Sequence, residues 1–393
     1  MADYRYLIVG GGMTGDAACR GIRERDPDGS IGLVGAEDVP PYARPPLSKA
    51  LWQGKAEDSI WRGTAELGVE LHWGRRVVAL DLDRRVATDD EGTSYGFERV
   101  LLATGGRPRR LPADDGGDVV YFRTLADYHR LREAAAPGAH AVVIGGGFIG
   151  SELAAALVSQ GCRVTLVFPE DGVGARLFPP DLAESVTGYY REHGVEVRAG
   201  ELVGGIGRSD GGIAVELDGS KLAADVVVAG LGIVPAIELA EAAGLEVEDG
   251  IVVDAYGRAG SSGVVFAAGD VARFPALALG TMARVEHENH ANTHGHTVGA
   301  NMAGADKRYE NLPFFYSDLF DLGYEAVGEV DSRHRTLAEW AEPYRRGVVA
   351  YVDANDRPRG FLFWDVWGKV DTGVALISAR EPVGPELLRS LLD

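Results

Sequence analysis

Only two cysteines occur in the 393 residues, Cys19 and Cys162, and neither belongs to a CxxC pair. That excludes a disulfide framework and a zinc ribbon. Each cysteine lies in or just after a helix-forming stretch among small apolar residues, where a thiol packs as a small hydrophobe. No apolar run approaches the roughly 20 residues that a membrane-spanning helix needs. Basic residues are outnumbered: 39 Lys plus Arg stand against 59 Asp plus Glu, a formal net charge of -20. Such a chain repels a polyanion, so nucleic acid is not the expected partner. Strand-like sequence begins within a few residues of Met1 and leaves no room for a signal or transit peptide, so the expected location is the cytoplasm.

The chain is too long for one ordinary core and has ample apolar material, 46% of its residues, for two or three domains. The stretch YLIVGGGMTGDAACRGIRE is an apolar strand running into Gly10-x-Gly12-x-x-Gly15 and then a helix, followed by a PDGS turn and the strand IGLVG. The pattern returns 135 positions later, from Gly10 to Gly145: HAVVIGGGFIGSELAAALVSQGCRVTLVF carries Gly145-x-Gly147-x-x-Gly150 between strand and helix. Glycines there let the backbone turn tightly and approach a pyrophosphate, which the helix N-terminus stabilises. One such motif is weak evidence, because close helix-strand packing also selects glycine. Two copies, each in a full strand-turn-helix-strand context, predict two bound dinucleotides on α/β, Rossmann-like domains.

The strand ends indicate which dinucleotide binds where. After the second fingerprint, RVTLVFPED puts Glu170 where a carboxylate accepts both ribose hydroxyls and repels a 2'-phosphate, favouring NADH over NADPH. Arg176, a few residues on, pulls the other way. The first unit ends LVGAED, where Glu37 can reach the other ribose. RVLLATGGRP is a strand running into a glycine turn, with Ala103 and Thr104 at its end, and SSGVVFAAGDVA delivers Asp270 at a strand's carboxyl end, suited to the ribitol hydroxyls of FAD.

Between the first fingerprint and the next strand runs PYARPPLSKALW. Proline fixes its own φ and biases the preceding residue away from helix, so Arg44-Pro45-Pro46 is expected to be stiff and extended, leading into a helix capped at Ser48.

The order GGGMTG, RPPLSK, ATGG, GGGFIGSE, AAGD and RVEHENHAN resembles the FAD-dependent pyridine nucleotide reductases of the ferredoxin- and rubredoxin-reductase type, over the whole chain. Within that group RPPLSKALW, GGGFIGSELA, FYSDLFDLGYEAVGEVD and the C-terminal stretch are most similar to the apoptosis-inducing-factor branch, as a bacterial-style homologue. The resemblance implies that Arg44 holds FAD and that Lys49, near the reactive edge of the flavin, pairs with Glu152. A fixed cation there stabilises negative charge developing as hydride arrives. Phe148 would shield the flavin where the nicotinamide stacks, and Tyr316 stands where mammalian relatives have a stacked tryptophan. Arg123, Asp270, His287 and the backbone at Val77 would touch FAD; Glu170, Arg176, Gly232, Glu286 and Glu325 would touch NADH. Three departures limit the transfer. Ala36 occupies the usual place of the FAD ribose carboxylate, the C-terminal domain lacks the long insertion of the mammalian proteins, and the net charge does not suit their proposed DNA-binding surface. The redox core carries over, and the cell-death role does not.

His287, His290, His294 and His296 invite a metal reading, but no cysteine joins them and a flavin-facing helix accounts for their position, so no metal is expected. Such a helix, starting after Arg284, would aim its positive N-terminal dipole at the flavin pyrimidine. The missing CxxC also removes electron transfer through a dithiol. The expected organisation is an FAD domain over 1–118 and 237–305, an inserted NADH domain over 119–236, and a C-terminal α+β domain over 306–393 that covers the flavin and forms a homodimer. The expected function is NADH oxidation with FAD as hydride acceptor, slow reoxidation through a charge-transfer complex, and delivery of electrons to quinone, oxygen or another acceptor. Two rivals are an NADH-dependent reductase serving a small ferredoxin or rubredoxin, and a redox-sensing protein whose reduced dimer is the signal.

Overall fold

The computed structural model describes residues 2–112, 114, 117–209 and 212–393. They form two compact units: Met1–Ala43 with Glu57–Arg107 and Val234–Pro313, and Arg44–Ala56 with Pro108–Ile233 and Phe314–Asp393.

In the first unit the strand Ala2–Val9 pairs in parallel with Ile31–Val34 on one side and Ser94–Leu102 on the other. Glu70–His72 extends the sheet beyond Ile31–Val34, and Val265–Ala267 joins Ser94–Leu102, both in parallel. The runs YLIV, IGLV and VLLA are continuously apolar because such strands are covered on both faces. One cover is a pair of helices, Met13–Arg25 and Glu288–Met302, which meet through small residues. A Cβ on Gly295 would lie 2.5 Å from the Thr14 carbonyl oxygen and one on Gly299 2.1 Å from that of Ala18. Cys19 is fully buried in this layer. Asp16, also fully buried, accepts from Arg62 Nε at 2.7 Å, Thr64 Oγ1 at 2.7 Å and Arg20 Nε at 3.0 Å. A buried carboxylate needs such partners, and these tie the segment around residues 62–64 to the fingerprint helix.

The second unit contains a parallel sheet ordered Val195–Ala199, Arg163–Phe168, His140–Ile144, Val226–Ala229, Val119–Tyr121. A three-stranded antiparallel meander, Val203–Ser209, Gly212–Leu217 and Ser220–Ala224, follows. The C-terminal sheet is antiparallel, ordered Phe314–Leu319, Leu322–Gly328, Pro358–Trp364, Arg346–Val352, Arg335–Glu342, with helices Val370–Ala379 and Pro385–Ser390. Phe178 packs edge-on against Tyr324 and Trp364, at 5.4 and 5.3 Å between ring centroids, and Tyr351 donates to the Leu177 carbonyl at 2.7 Å. The tip of the first hairpin is Phe320, in the left-handed region at φ 58°, its ring 5.1 Å from Tyr190 and 4.4 Å from His193.

One expectation is overturned. Arg44 is helical, at φ -78° and ψ -34°, and Pro45–Ser48 forms a turn of 3-10 helix rather than an extended piece. Proline at the first positions of a helical turn loses nothing, since those N–H groups have no intrahelical partner. The Leu47 and Lys49 N–H groups close the turn on Arg44 and Pro46. No α-helix capped by Ser48 follows; its hydroxyl serves elsewhere.

Candidate active site

Each fingerprint folds into its own cradle, and the two cradles have the same form. Gly10 and Gly145 are in positive-φ conformations, at 128° and 111°, which few other residues adopt, and a Cβ there would reach 2.1 Å from the Ala103 oxygen or 2.5 Å from the Gly230 oxygen. Gly15 and Gly150 press onto the Gly10 and Gly145 carbonyls, where a Cβ would lie at 2.2 and 1.7 Å. The middle glycines differ: a Cβ on Gly12 or Gly147 meets nothing within 4 Å. Each is the N-cap of its helix, and no side chain caps either. Packing explains the outer glycines. The middle ones leave first-turn N–H groups behind a surface without side chain, which fits a pyrophosphate.

Around the first cradle, Ala103 and Thr104 lie directly against Gly10, and the Thr104 hydroxyl donates to the Ala236 carbonyl at 2.8 Å. The turn bearing Asp270 packs onto the same helix start, since a Cβ on Gly269 would be 2.2 Å from Thr14 Oγ1. Glu37 accepts from the Tyr42 hydroxyl at 2.6 Å, so its carboxylate is fixed just after the second strand, next to exposed Ala36. Val77 begins a strand paired with Asp89. Glu286 is paired with Arg284 at 2.6 Å. His287 is the N-cap of the Glu288–Met302 helix, and burial pushes its imidazole down to about 4 against the opposing charge of Asp270.

The other histidines do different work. His290 and His294 are buried against Phe274 and Tyr309, with His290 Nδ1 2.9 Å from the Tyr309 hydroxyl and the Gly269 N–H donating to His294 Nδ1 at 3.3 Å. Burial lowers both, His290 to about 3. His296 instead meets Glu24 at 2.9 Å. Among the described residues no group of three or more His, Cys, Asp or Glu is arranged to hold a metal ion.

In the second unit, the helix that starts at the Gly147 cradle buries Glu152 one turn later. Lys49 Nζ lies 3.1 Å from Glu152 Oε1 and 4.6 Å from the centre of the Tyr316 ring. Two serines that the sequence reading missed complete the carboxylate's shell: Ser317 Oγ donates to Oε1 and Ser48 Oγ to Oε2, each at 2.6 Å. Ser317 had one legible signal, a polar residue between Phe315 and Leu319 on the inward face of an alternating strand. Phe148 packs edge-on against Phe315, 5.1 Å away. Arg44 Nη1 donates to the Arg123 carbonyl at 2.7 Å, holding the proline turn at the start of the Leu125–Ala134 helix.

Glu170 follows the Arg163–Phe168 strand and is held by Arg176, Nε to Oε1 at 2.7 Å. Gly232, at φ 78°, accepts the Arg109 N–H and has no atom near a hypothetical Cβ. Glu325 pairs across the strands with Tyr316 and accepts the Gly368 N–H at 2.9 Å.

These cradles and carboxylates lie on a chain whose residues 4–295 match the family model described as pyridine nucleotide-disulphide oxidoreductase. The chain belongs to that family. Residues 298–344 match the C-terminal model of mitochondrion-associated apoptosis-inducing factor. The chain is 32% identical to apoptosis-inducing factor 1 of Dictyostelium discoideum, over 97% of this chain and 79% of that one. It is 34% identical to the putidaredoxin reductase of Pseudomonas putida, over 98% and 94%. The reductase in a crystal structure of the covalent putidaredoxin reductase-putidaredoxin complex superimposes with a TM-score of 0.92 at 33% identity, covering 100% of this chain and 96% of that one. As a family member the chain is an oxidoreductase dependent on FAD and NAD(H). Despite the family's description, no dithiol relay is available to it: Cys19 and Cys162 belong to different units and both are buried. No helix among the described residues is long and apolar enough to cross a membrane.

Proposed function

We propose that the chain is an FAD-dependent NADH oxidoreductase whose electrons leave directly from the cofactor to a small acceptor. Bound FAD supplies the hydride-accepting chemistry. What carries the reading is that one helix, Phe148–Ser159, begins at a bare-glycine cradle and one turn later buries the carboxylate that holds Lys49. In this reading Lys49 Nζ is the fixed cation that favours negative charge arriving beside it. Glu152 keeps Nζ in position, and Ser48 and Ser317, each donating to one of its oxygens, keep Glu152 in place. Phe148 guards the nicotinamide side.

The same proposal assigns Gly10, Gly12, Gly15, Glu37, Val77, Ala103, Thr104, Asp270 and His287 of the first unit, and Arg44, Lys49, Arg123 and Tyr316 of the second, to FAD. It assigns Gly145, Gly147, Gly150, Glu170, Arg176, Gly232 and Glu325, with Glu286, to NADH. Glu170 makes NADH the preferred donor. The division into an FAD domain over 1–118 and 237–305, an NADH domain over 119–236 and a C-terminal domain from 306, a cytoplasmic location and a homodimer belong to it as well. Support for a redox protein as acceptor comes from the putidaredoxin reductase relatives; against it stands the charge of -20, since small iron-sulfur partners are usually acidic. Anaerobic rapid mixing with NADH tests the core of the proposal: the yellow holoprotein should bleach, and bleaching by NADPH at an equal rate would remove Glu170 from its role.

A further inference from the structure

Glu170 and Arg176 stand on a loop, residues 169–179, between the strand Arg163–Phe168 and the helix Pro180–Glu192. The loop has glycines at 172 and 174, and Gly174 is in the left-handed region at φ 69°. Such a segment has many conformations to lose, so two charged side chains on it keep one geometry only if the backbone is tied down. Its first half is tied within the nucleotide-binding layers. The Gly174 N–H donates to the Gly146 carbonyl and the Val173 N–H to Thr187 Oγ1, each at 2.9 Å. Its second half is tied to the C-terminal sheet. The Ser332 N–H donates to the Arg176 carbonyl at 3.0 Å, the Tyr351 hydroxyl donates to the Leu177 carbonyl at 2.7 Å, and Phe178 packs against Tyr324 and Trp364. Tyr351, Phe178 and Trp364 are all buried. The Arg176 side chain, by contrast, is 83% exposed and meets Glu170, so its backbone decides where the guanidinium starts from.

We propose that the Tyr351 hydroxyl and the Ser332 N–H are positioning groups for nucleotide choice: through them the C-terminal sheet sets where Glu170 and Arg176 stand. This rests on the assignment of Glu170 and Arg176 to NADH made above and names the groups that aim them. Both bonds end on backbone carbonyls, so they hold the loop whatever side chains stand at 176 and 177. A carboxylate accepting from ribose hydroxyls needs a narrow range of distance and angle, whereas its repulsion of a 2'-phosphate falls off only slowly with distance. Loosening the loop therefore weakens NADH binding more than it relieves the exclusion of NADPH.

Two variants of the holoprotein test this from different strands. Tyr351→Phe keeps the ring and deletes one donor. Ser332→Pro deletes the other: the His334 N–H closes a turn on the Asp331 carbonyl at 3.0 Å, and proline suits the second position of such a turn. In each variant the KM for NADH should rise about fivefold, the scale of one lost hydrogen bond. The KM for NADPH and the reduction rate at saturating NADH should stay within about twofold of wild type, because the Lys49–Glu152 pair is untouched and only binding is lost. The preference for NADH narrows accordingly. An unchanged KM for NADH in both variants would overturn the inference. So would losses by the same factor for both nucleotides, which would make the two groups general supports of the fold. If Glu170→Gln left the nucleotide preference unchanged, the assignment of Glu170 would fall, and hydrogen exchange across residues 170–178 would decide the positioning role. Slowing by NADH in wild type but not in the variants would uphold it; equal slowing in all three would remove it.

Discussion

Lys49 Nζ and Ser317 Oγ converge on the same atom, Glu152 Oε1, one at 3.1 Å and the other at 2.6 Å. A carboxylate bound this way, with Ser48 on its second oxygen, is held by groups from the proline-rich turn and from the C-terminal sheet at once. Removing one serine leaves a buried charge short of a partner, which costs roughly 1 to 3 kcal/mol. Ser317→Ala should therefore lower the denaturant midpoint and slow reduction by NADH, whereas Ser317→Thr, which keeps the hydroxyl, should recover most of the rate. Equal rates for Ser317→Ala and wild type would reduce the serine to a packing residue.

The glycines of each fingerprint should separate into two kinds. Gly150→Ala drives a Cβ to 1.7 Å from a carbonyl oxygen and should prevent folding of the second unit. Gly147→Ala meets no atom, so the fold should survive with nearly unchanged thermal stability. Because the added methyl stands in the cradle, the Kd for NADH should rise on the order of tenfold, about 1.4 kcal/mol. Calorimetry and a nucleotide titration on the two variants check this.

Nucleotide choice depends on Glu170. NADH should be preferred over NADPH by one to two orders of magnitude in kcat/KM, about 1.4 to 3 kcal/mol. Arg176 already sits against Glu170 at 2.7 Å, so Glu170→Gln releases a guanidinium that can meet a 2'-phosphate and should narrow the gap from both sides. Steady-state constants for the two nucleotides measure it.

Acid should destabilise the first unit through its buried histidines. The fold accommodates His290 and His294 in the neutral form, His290 down to about pH 3. Stability is complete above the ordinary histidine value near 6.5 and declines below it, as the unfolded chain takes up protons that the folded chain refuses. Each group contributes a slope of about 1.4 kcal/mol per pH unit. His290→Gln should flatten the loss between pH 6 and 4 by that amount in urea titrations; an unchanged slope would mean that His290 is protonated in the folded protein.

The alternation of strand, glycine turn and helix was legible in the sequence because glycine at Gly10 and Gly145 is demanded by backbone geometry local to the motif. Proximity of Lys49 to Glu152 was legible only through resemblance, since nothing local links the two. Ser48 and Ser317 were not legible, because they reach Glu152 across 104 and 165 residues and their role exists only once three segments meet. The turn at Pro45–Ser48 was misread because local proline preferences were weighed without the bonds that close it. Histidine spacing in EHENHANTHGH was equally uninformative: His290 and His294 face an aromatic core, and His296 turns outward to Glu24.

The account depends most on Lys49 as a fixed cation, and rapid mixing of Lys49→Ala with NADH under anaerobic conditions tests it most directly. FAD should stay bound, while the first-order reduction rate falls on the order of 10² to 10³, the effect of losing roughly 2 to 4 kcal/mol of charge stabilisation. Glu152→Gln should act in the same direction, and the double variant should lose clearly less than the sum of the two. A Lys49→Ala protein that binds FAD and is reduced at the wild-type rate would contradict the account.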